Sequence, residues 1–94
     1  MLPMDIQLEE TDSDGAFYVD HDGQRAAFMN FTKGPGRIII THTEVSDALK
    51  GKSAGKQLVA ASVAYARSRN LKIVPLCPFA RSVFDRVKEY SDVL

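Results

Sequence analysis

The stretch Arg37-Ile38-Ile39-Ile40-Thr41-His42-Thr43-Glu44-Val45, followed after a short connection by Gly51-Lys52-Ser53-Ala54-Gly55-Lys56, decides the fold. Three consecutive isoleucines suit a strand buried on both faces: β-branched side chains pack well on a pleated surface, and an unbroken apolar run has no solvent side. The glycine-rich segment ends that pattern, and the period then changes. Leu58, Val59, Ser62, Val63, Tyr65 and Ala66 recur at helical spacing, with alanines filling the gaps. Arg67 and Arg69 fall in the last turn of this helix, where cations oppose its dipole, and Asn70 can cap its end. A strand, a glycine-rich turn and a helix therefore form the centre of the chain.

Working outward, Gly34-Pro35-Gly36 is a strong turn signal before the isoleucine strand. Ahead of it, Gln24 to Phe31 reads as a strand with Ala26, Phe28 and Asn30 on one face. Asp22-Gly23 permits the positive φ angles of a tight hairpin, and Gly15 to Asp20 supplies the strand before it. Asp5 to Glu10 alternates weakly and reads as the first strand. Beyond the helix, Leu71 to Cys77 reads as a fifth strand. Pro75 cannot donate to a ladder, so one side of that strand lacks a partner there. Pro78 suits the first position of a second helix, with Phe79, Val83, Phe84 and Val87 as its apolar stripe. The order β-β-β-β-α-β-α predicts an α/β fold: a mixed, mostly antiparallel sheet of about five strands with two helices.

The totals bound the function. With 94 residues, 45% hydrophobic and 26% charged, the whole chain, residues 1–94, is expected to form a single globular domain with a thin core. Twelve Lys and Arg balance twelve Asp and Glu, which removes the basic excess that nucleic-acid binding needs; Lys50, Lys52 and Lys56 are a local basic patch. One cysteine, Cys77, makes no intramolecular disulfide, no apolar run is long enough to cross a bilayer, and Met1-Leu2-Pro3-Met4-Asp5 lacks the start of a signal peptide. A cytoplasmic protein, monomeric or weakly dimeric, without nucleic-acid or membrane partners is expected.

Gly51 to Lys56 joins a buried strand to a helix start. Small residues there let a ligand approach the backbone, and successive N–H groups at a helix N-terminus favour an anion such as phosphate. The nucleotide P-loop does not fit: only Lys52, Ser53 and Ala54 separate the glycines, and Gln57 follows Lys56 where a hydroxyl is needed to hold magnesium. No metal site is expected. The plain alternative for this segment is a capped helix start behind a flexible loop.

At this point the chain resembles the GNAT superfamily of acyl-CoA-dependent acyltransferases, whose signature Gln/Arg-x-x-Gly-x-Gly/Ala lies between the fourth strand and a long helix. Gly51-Lys52-Ser53 falls on its Gly-x-Gly/Ala part, with Gly55 and Leu58 on the following turn. His42-Thr43-Glu44-Val45 and Pro75-Leu76-Cys77-Pro78-Phe79 are similar to stretches of a small, single-domain acetyltransferase subgroup. Ala48 departs from the Gln/Arg position, Ser53 from the usual Gly/Ala, and the superfamily's initial β-α-α segment is abbreviated. The resemblance implies acetyl-CoA as acyl donor and an amine as acceptor. It implies that Gly51, Lys52, Ser53, Ala54, Gly55 and Lys56 hold the pyrophosphate. It also implies that Val45 offers backbone hydrogen bonds to pantetheine, and that the fourth and fifth strands part to admit it.

Acyl transfer to an amine needs a base for the amine and an acid for the leaving thiolate. His42 and Glu44 lie two apart on a strand and share a face, so either can relay the proton; the plain alternative is a packed His42 and a solvated Glu44. Where the superfamily often carries Asn-x-x-Ala-x-x-x-Tyr, this chain has Cys77-Pro78-Phe79-Ala80-Arg81-Ser82-Val83-Phe84. Phe84 cannot donate a proton and is expected to pack, along the cofactor. Cys77 is expected beside the thioester, as covalent acceptor, as acid or as a small core residue, with direct transfer preferred. N-acetyltransferase activity is the leading expectation, and a non-catalytic acyl-CoA-binding or regulatory module is the alternative.

Overall fold

The computed structural model describes residues 4–94, so the reading of Met1, Leu2 and Pro3 lies outside the described residues. The elements follow the expected order: β1 (Gln7–Glu10), β2 (Asp14–His21), β3 (Gln24–Gly34), β4 (Arg37–Val45), α1 (Ala54–Arg69), β5 (Lys72–Pro75) and α2 (Pro78–Arg86). Two 3₁₀ segments, Asp47–Leu49 and Lys88–Val93, add to them. The five strands form one sheet in sequence order. β1 to β4 run antiparallel, and β5 lies parallel to β4 after the crossover through α1. The hairpin at Asp22-Gly23 has positive φ at both residues, 52° and 77°, as a tight two-residue connection requires. Asn70 ends α1 in the left-handed conformation, φ 59°, and its N–H bonds the carbonyls of Ala66 and Arg67.

One core holds the molecule together. Phe17, Val19, Ala27, Met29, Phe31, Ile38, Ile40 and Ile73 from the sheet meet Leu58, Val59, Val63 and Ala66 of α1 and Ala80, Val83 and Phe84 of α2. Tyr65 stands edge-on to Phe17, centroids 5.5 Å apart, and its hydroxyl donates a hydrogen bond to Glu10 Oε1 at 2.9 Å. Both helices and the C-terminal 3₁₀ segment thus cover one face of the sheet. Among the described residues no helix is long and apolar enough to cross a membrane.

That one-sided cover corrects two expectations. Ile39 is only half-buried, so β4 is not buried on both faces; its side chain lies on the uncovered side. In β3 Ala26, Phe28 and Asn30 share one face, as expected; it is the uncovered, half-buried one, and Ala27, Met29 and Phe31 are the buried set. In α2, Ala80, Val83 and Phe84 are buried but Phe79 remains 37% exposed, because it lies at the helix start, beyond the edge of the core.

The register of β4 contains one irregularity that positions the site. Asn30 pairs with His42 and Phe31 with Ile40, so Thr41 is an extra residue. Such a bulge reverses the side-chain alternation. Before it, Ile38 and Ile40 face the helices; after it, Thr43 and Val45 do, opposite Met29 and Ala27. His42 and Glu44 are turned to the uncovered face, opposite Asn30 and Phe28.

Candidate active site

β4 and β5 part company at Ile40. The parallel ladder runs from Arg37↔Lys72 to Ile40↔Pro75. The N–H groups of Leu76 and Cys77 then both donate to the Ile40 carbonyl, at 3.0 and 3.1 Å, and the chain turns into α2. Pro75, without an N–H, ends the strand at no cost in ladder bonds. β4 continues to Val45 with β3 along one edge. On that side Ser46 N–H donates to Ala26 O at 2.8 Å, so by the two-residue alternation of a strand the backbone groups of Thr43 and Val45 point to the other edge, the one β5 has left. The result is a slot between the second half of β4 and the start of α2, with backbone donors and acceptors along one wall.

Cys77 forms the opposite wall. It is the N-cap residue of α2, with Pro78 at the first helical position, and is 6% exposed. Its thiol donates to the Thr43 hydroxyl across the slot at 3.4 Å. Burial pushes the thiol pKa up, but the Thr43 hydroxyl and the backbone N–H groups of Ala80, Phe79 and Thr43 outweigh it, and the thiol lies below the ordinary cysteine range. His42 and Glu44 sit on the other face of the same strand. Their side chains are 56% and 62% exposed, with Nε2 and Oε1 3.6 Å apart and the His42 ring 5.9 Å from Phe28. They share a face, as expected, and the β4 backbone separates that face from Cys77.

The glycine-rich turn closes the helix-covered end. Gly51 has φ 79°, and Ser53, the N-cap residue, is left-handed at φ 60°. α1 starts at Ala54, and Ser53 makes no side-chain cap bond. The first helical hydrogen bond is Gln57 N–H to Ser53 O at 3.0 Å, so Ala54, Gly55 and Lys56 present their N–H groups ahead of the helix. Lys52 and Lys56 are exposed beside them, and Ala54 and Gly55 are buried. Gln57 ties the turn down: its Oε1 accepts the Met4 N–H at 2.7 Å and its Nε2 donates to Lys52 O at 3.4 Å. Gly55 is glycine for a packing reason. A Cβ there would stand 2.5 and 2.7 Å from atoms of the Phe79 ring, which lies across the first turn of α1.

Cys77 therefore meets Thr43, two residues from Val45 on the same face of β4, while the Phe79 ring at the start of α2 meets Gly55 in the first turn of α1, beside the exposed Gly51, Lys52, Ser53 and Lys56. Phe84 is not on that wall: it is 2% exposed and packs in the core, its ring 5.9 Å from Tyr90, so its place is structural. Two residues escaped the sequence reading. Thr43 lies two residues from Val45 and so shares its face, a signal open to simple alternation. Phe79 reads as a core residue by helical spacing, and its contact with Gly55 joins two helix starts that are far apart in sequence.

The Thr43 contact has a measurable consequence. Removing a donor to the thiolate destabilises the charged form, so Thr43→Val should raise the Cys77 titration midpoint and reduce the thiolate fraction at any pH near it. Thr43→Ser keeps the hydroxyl and should titrate close to wild type. Thiolate absorbance near 240 nm reads this directly, since Cys77 is the only cysteine, with Cys77→Ala as the blank.

Known proteins agree with this architecture. The sequence model of the GCN5-related N-acetyl-transferase family matches residues 16–93. No curated protein matches the chain. Among solved structures, a GCN5-like candidate N-acetyltransferase from Staphylococcus aureus is 34% identical, with a TM-score of 0.72, over 93% of this chain and 85% of that one. A ribosomal-protein-alanine N-acetyltransferase from Brucella melitensis biovar Abortus shares the fold at 20% identity and a TM-score of 0.70, over 82% of this chain. AAC(6')-Iy, solved in complex with the bisubstrate analogue CoA-S-monomethyl-acetylneamine, shares it at 15% identity and a TM-score of 0.58, over 81% of this chain. The chain spans only 62% and 61% of the lengths of these last two. The parted β4 and β5, the glycine turn ahead of α1 and the family match over most of the sequence lead to one conclusion: the chain belongs to the GCN5-related N-acetyltransferase family.

Proposed function

We propose that this protein transfers an acetyl group from acetyl-CoA to an amine, acting in the cytoplasm as a monomer or weak homodimer. The observation that carries the reading is the slot where β5 leaves β4, next to the uncapped start of α1. The N–H groups of Ala54, Gly55 and Lys56, with Gly51, Ser53 and the ammonium groups of Lys52 and Lys56, suit a pyrophosphate. The outward backbone groups of Val45 suit an amide-bearing arm. His42 and Glu44 take the proton from the attacking amine on the uncovered face. The amine nitrogen bonds to the thioester carbon, the carbon–sulfur bond breaks, and the departing thiolate takes a proton from Cys77, which solvent restores. Base and acid then work from opposite sides of β4, so neither competes for the other's proton, and the acetyl group passes without a covalent enzyme intermediate.

A second reading, a module that binds acyl-CoA without turnover, is favoured by one observation: both helices pack on the other face of the sheet, so His42 and Glu44 stand on an open face, their side chains 56% and 62% exposed. Release of free thiol with a panel of amines separates the two.

The test of the shared part is binding. Acetyl-CoA at 100-fold above its Kd should stabilise the fold by about 2.7 kcal/mol, read as a rise in melting temperature. ATP and NAD at the same concentration should do much less. Equal stabilisation by ATP overturns the assignment of the slot.

A further inference from the structure

A small cavity on the sheet includes Glu44 in its wall. It has a volume of about 290 Å³ and is lined by Arg25, Ala26, Phe28, Glu44, Val45 and Ser46. Its two charged residues, Arg25 and Glu44, are of opposite sign. Strand register explains why they meet. Tyr18, Phe28 and Glu44 pair in one row across β2, β3 and β4. Val19 pairs with Ala27 and Asp20 with Arg25, so Ala26 is an extra residue of β3. This second bulge turns Arg25 to the face of Tyr18. The guanidinium carbon lies 3.8 Å from the centroid of the Tyr18 ring, and Nη1 donates to Glu9 Oε1 at 2.9 Å. The guanidinium and Glu44 thus stand at opposite ends of the row, with the half-buried Phe28 between them. Two strand spacings, about 10 Å, separate the backbones that carry Tyr18 and Glu44.

An exposed ion pair by itself is ordinary. This arginine is held by a ring and a carboxylate at the rim of a cavity that also contains the proposed base. Glu9 engages Nη1 alone. A guanidinium carries five N–H donors in a fixed fork, so Nε and Nη2 can still grip a carboxylate. Glu44 attracts an ammonium group at the other end. We propose that the acceptor is a small amino acid, held over Phe28 with its amino group against Glu44 and its carboxylate against Arg25. The inference rests on the acetyl-transfer reading. The amino nitrogen bonds to the thioester carbonyl carbon, its proton passes to Glu44 or His42, the carbon–sulfur bond breaks and CoA leaves as the thiol. The product is an N-acetyl amino acid.

Steady-state rates at saturating acetyl-CoA test this with two pairs of amines, glycine against glycinamide and β-alanine against β-alaninamide. Within each pair the carboxylate is replaced by a neutral amide. The acid-to-amide ratio of kcat/KM should fall about tenfold in Arg25→Gln, mainly through KM, since a hydrogen bond to a charged group contributes at least that much. Comparing variant with wild type cancels the difference in amine basicity within a pair. Glu9→Gln breaks the same ion pair but keeps an acceptor for Nη1, and should retain the wild-type ratio. A ratio unchanged in Arg25→Gln, or one that falls equally in Glu9→Gln, overturns this inference and leaves acetyl transfer standing. So does acetylation of 1,4-diaminobutane with none of the four test amines. Failure to release thiol with every amine overturns both readings.

Discussion

Gly55→Glu is expected to weaken CoA binding by at least a hundredfold, about 2.7 kcal/mol, while the melting temperature stays within a few degrees of wild type. Two effects act on binding. The new carboxylate stands in the first turn of α1, among the N–H groups proposed for the pyrophosphate. Like charges about 4 Å apart cost roughly 1–4 kcal/mol in watery to partly buried surroundings. The side chain also occupies space that the Phe79 ring now fills, since even a Cβ would come within 2.5 Å of it. Stability responds differently, because its terms oppose one another. Glutamate is a better helix former than glycine by up to about 1 kcal/mol, and an acid in the first turn gains a few tenths more. Against this stands the lost packing of a ring that is already 37% exposed and free to swing outward. Phe79→Ala separates the causes. If the ring alone shapes the entrance, Phe79→Ala will weaken binding as much as Gly55→Glu; if the carboxylate dominates, it will weaken it far less. Unchanged CoA affinity in Gly55→Glu removes the phosphate cradle from the mechanism.

How far the sequence discloses this site follows from which forces are local. Element order was readable because hydrophobic period and turn chemistry are local: Asp22-Gly23, Gly34-Pro35-Gly36 and Asn70 all adopt the positive-φ or reversing conformations their residue types favour, save that Gly34 closes β3 rather than joining the turn. The stripe Leu58, Val59, Ser62, Val63, Tyr65 and Ala66 is buried throughout, with the Ser62 hydroxyl satisfied by Val59 O at 2.6 Å. The face assignments were harder. In β3 both alternating sets contain apolar residues, and only the one-sided placement of α1 and α2 selects Ala27, Met29 and Phe31. The bulge at Thr41 was hidden for a different reason. Strict alternation puts His42 and Glu44 on the same face as Ile38 and Ile40, which would drive two ionisable groups into the core. An extra residue resolves the conflict by turning them outward, and the polar run Thr41-His42-Thr43-Glu44 after three isoleucines is the trace it leaves in the sequence. Phe84 is the converse case: its alignment with a tyrosine position suggested the cofactor, yet its helical spacing with Ala80 and Val83 already pointed to the core.

The exposed pair on β4 leads to an expectation about its variants. His42 Nε2 and Glu44 Oε1 are 3.6 Å apart, on one face and both open to solvent. Groups that close can stand in for one another: with His42 gone, Glu44 still reaches the amine proton, and with Glu44 neutralised, the imidazole still does. Glu44→Gln and His42→Ala should therefore each reduce kcat by no more than about tenfold, and the double variant by roughly 10²–10⁴, the usual worth of general-base catalysis. The double loss exceeds the product of the single ones, which is the signature of a shared task. Binding of acetyl-CoA should be unchanged in all three, because these side chains lie across β4 from Cys77 and the slot. The stability cost should be small as well, since an exposed ion pair contributes at most about 1 kcal/mol. Steady-state rates with a fixed amine, measured beside calorimetric affinities for acetyl-CoA, separate the possibilities. If the double variant turns over at the wild-type rate, neither residue takes the proton, and the base must be sought elsewhere on the face that Phe28, Asn30 and Ile39 share with them.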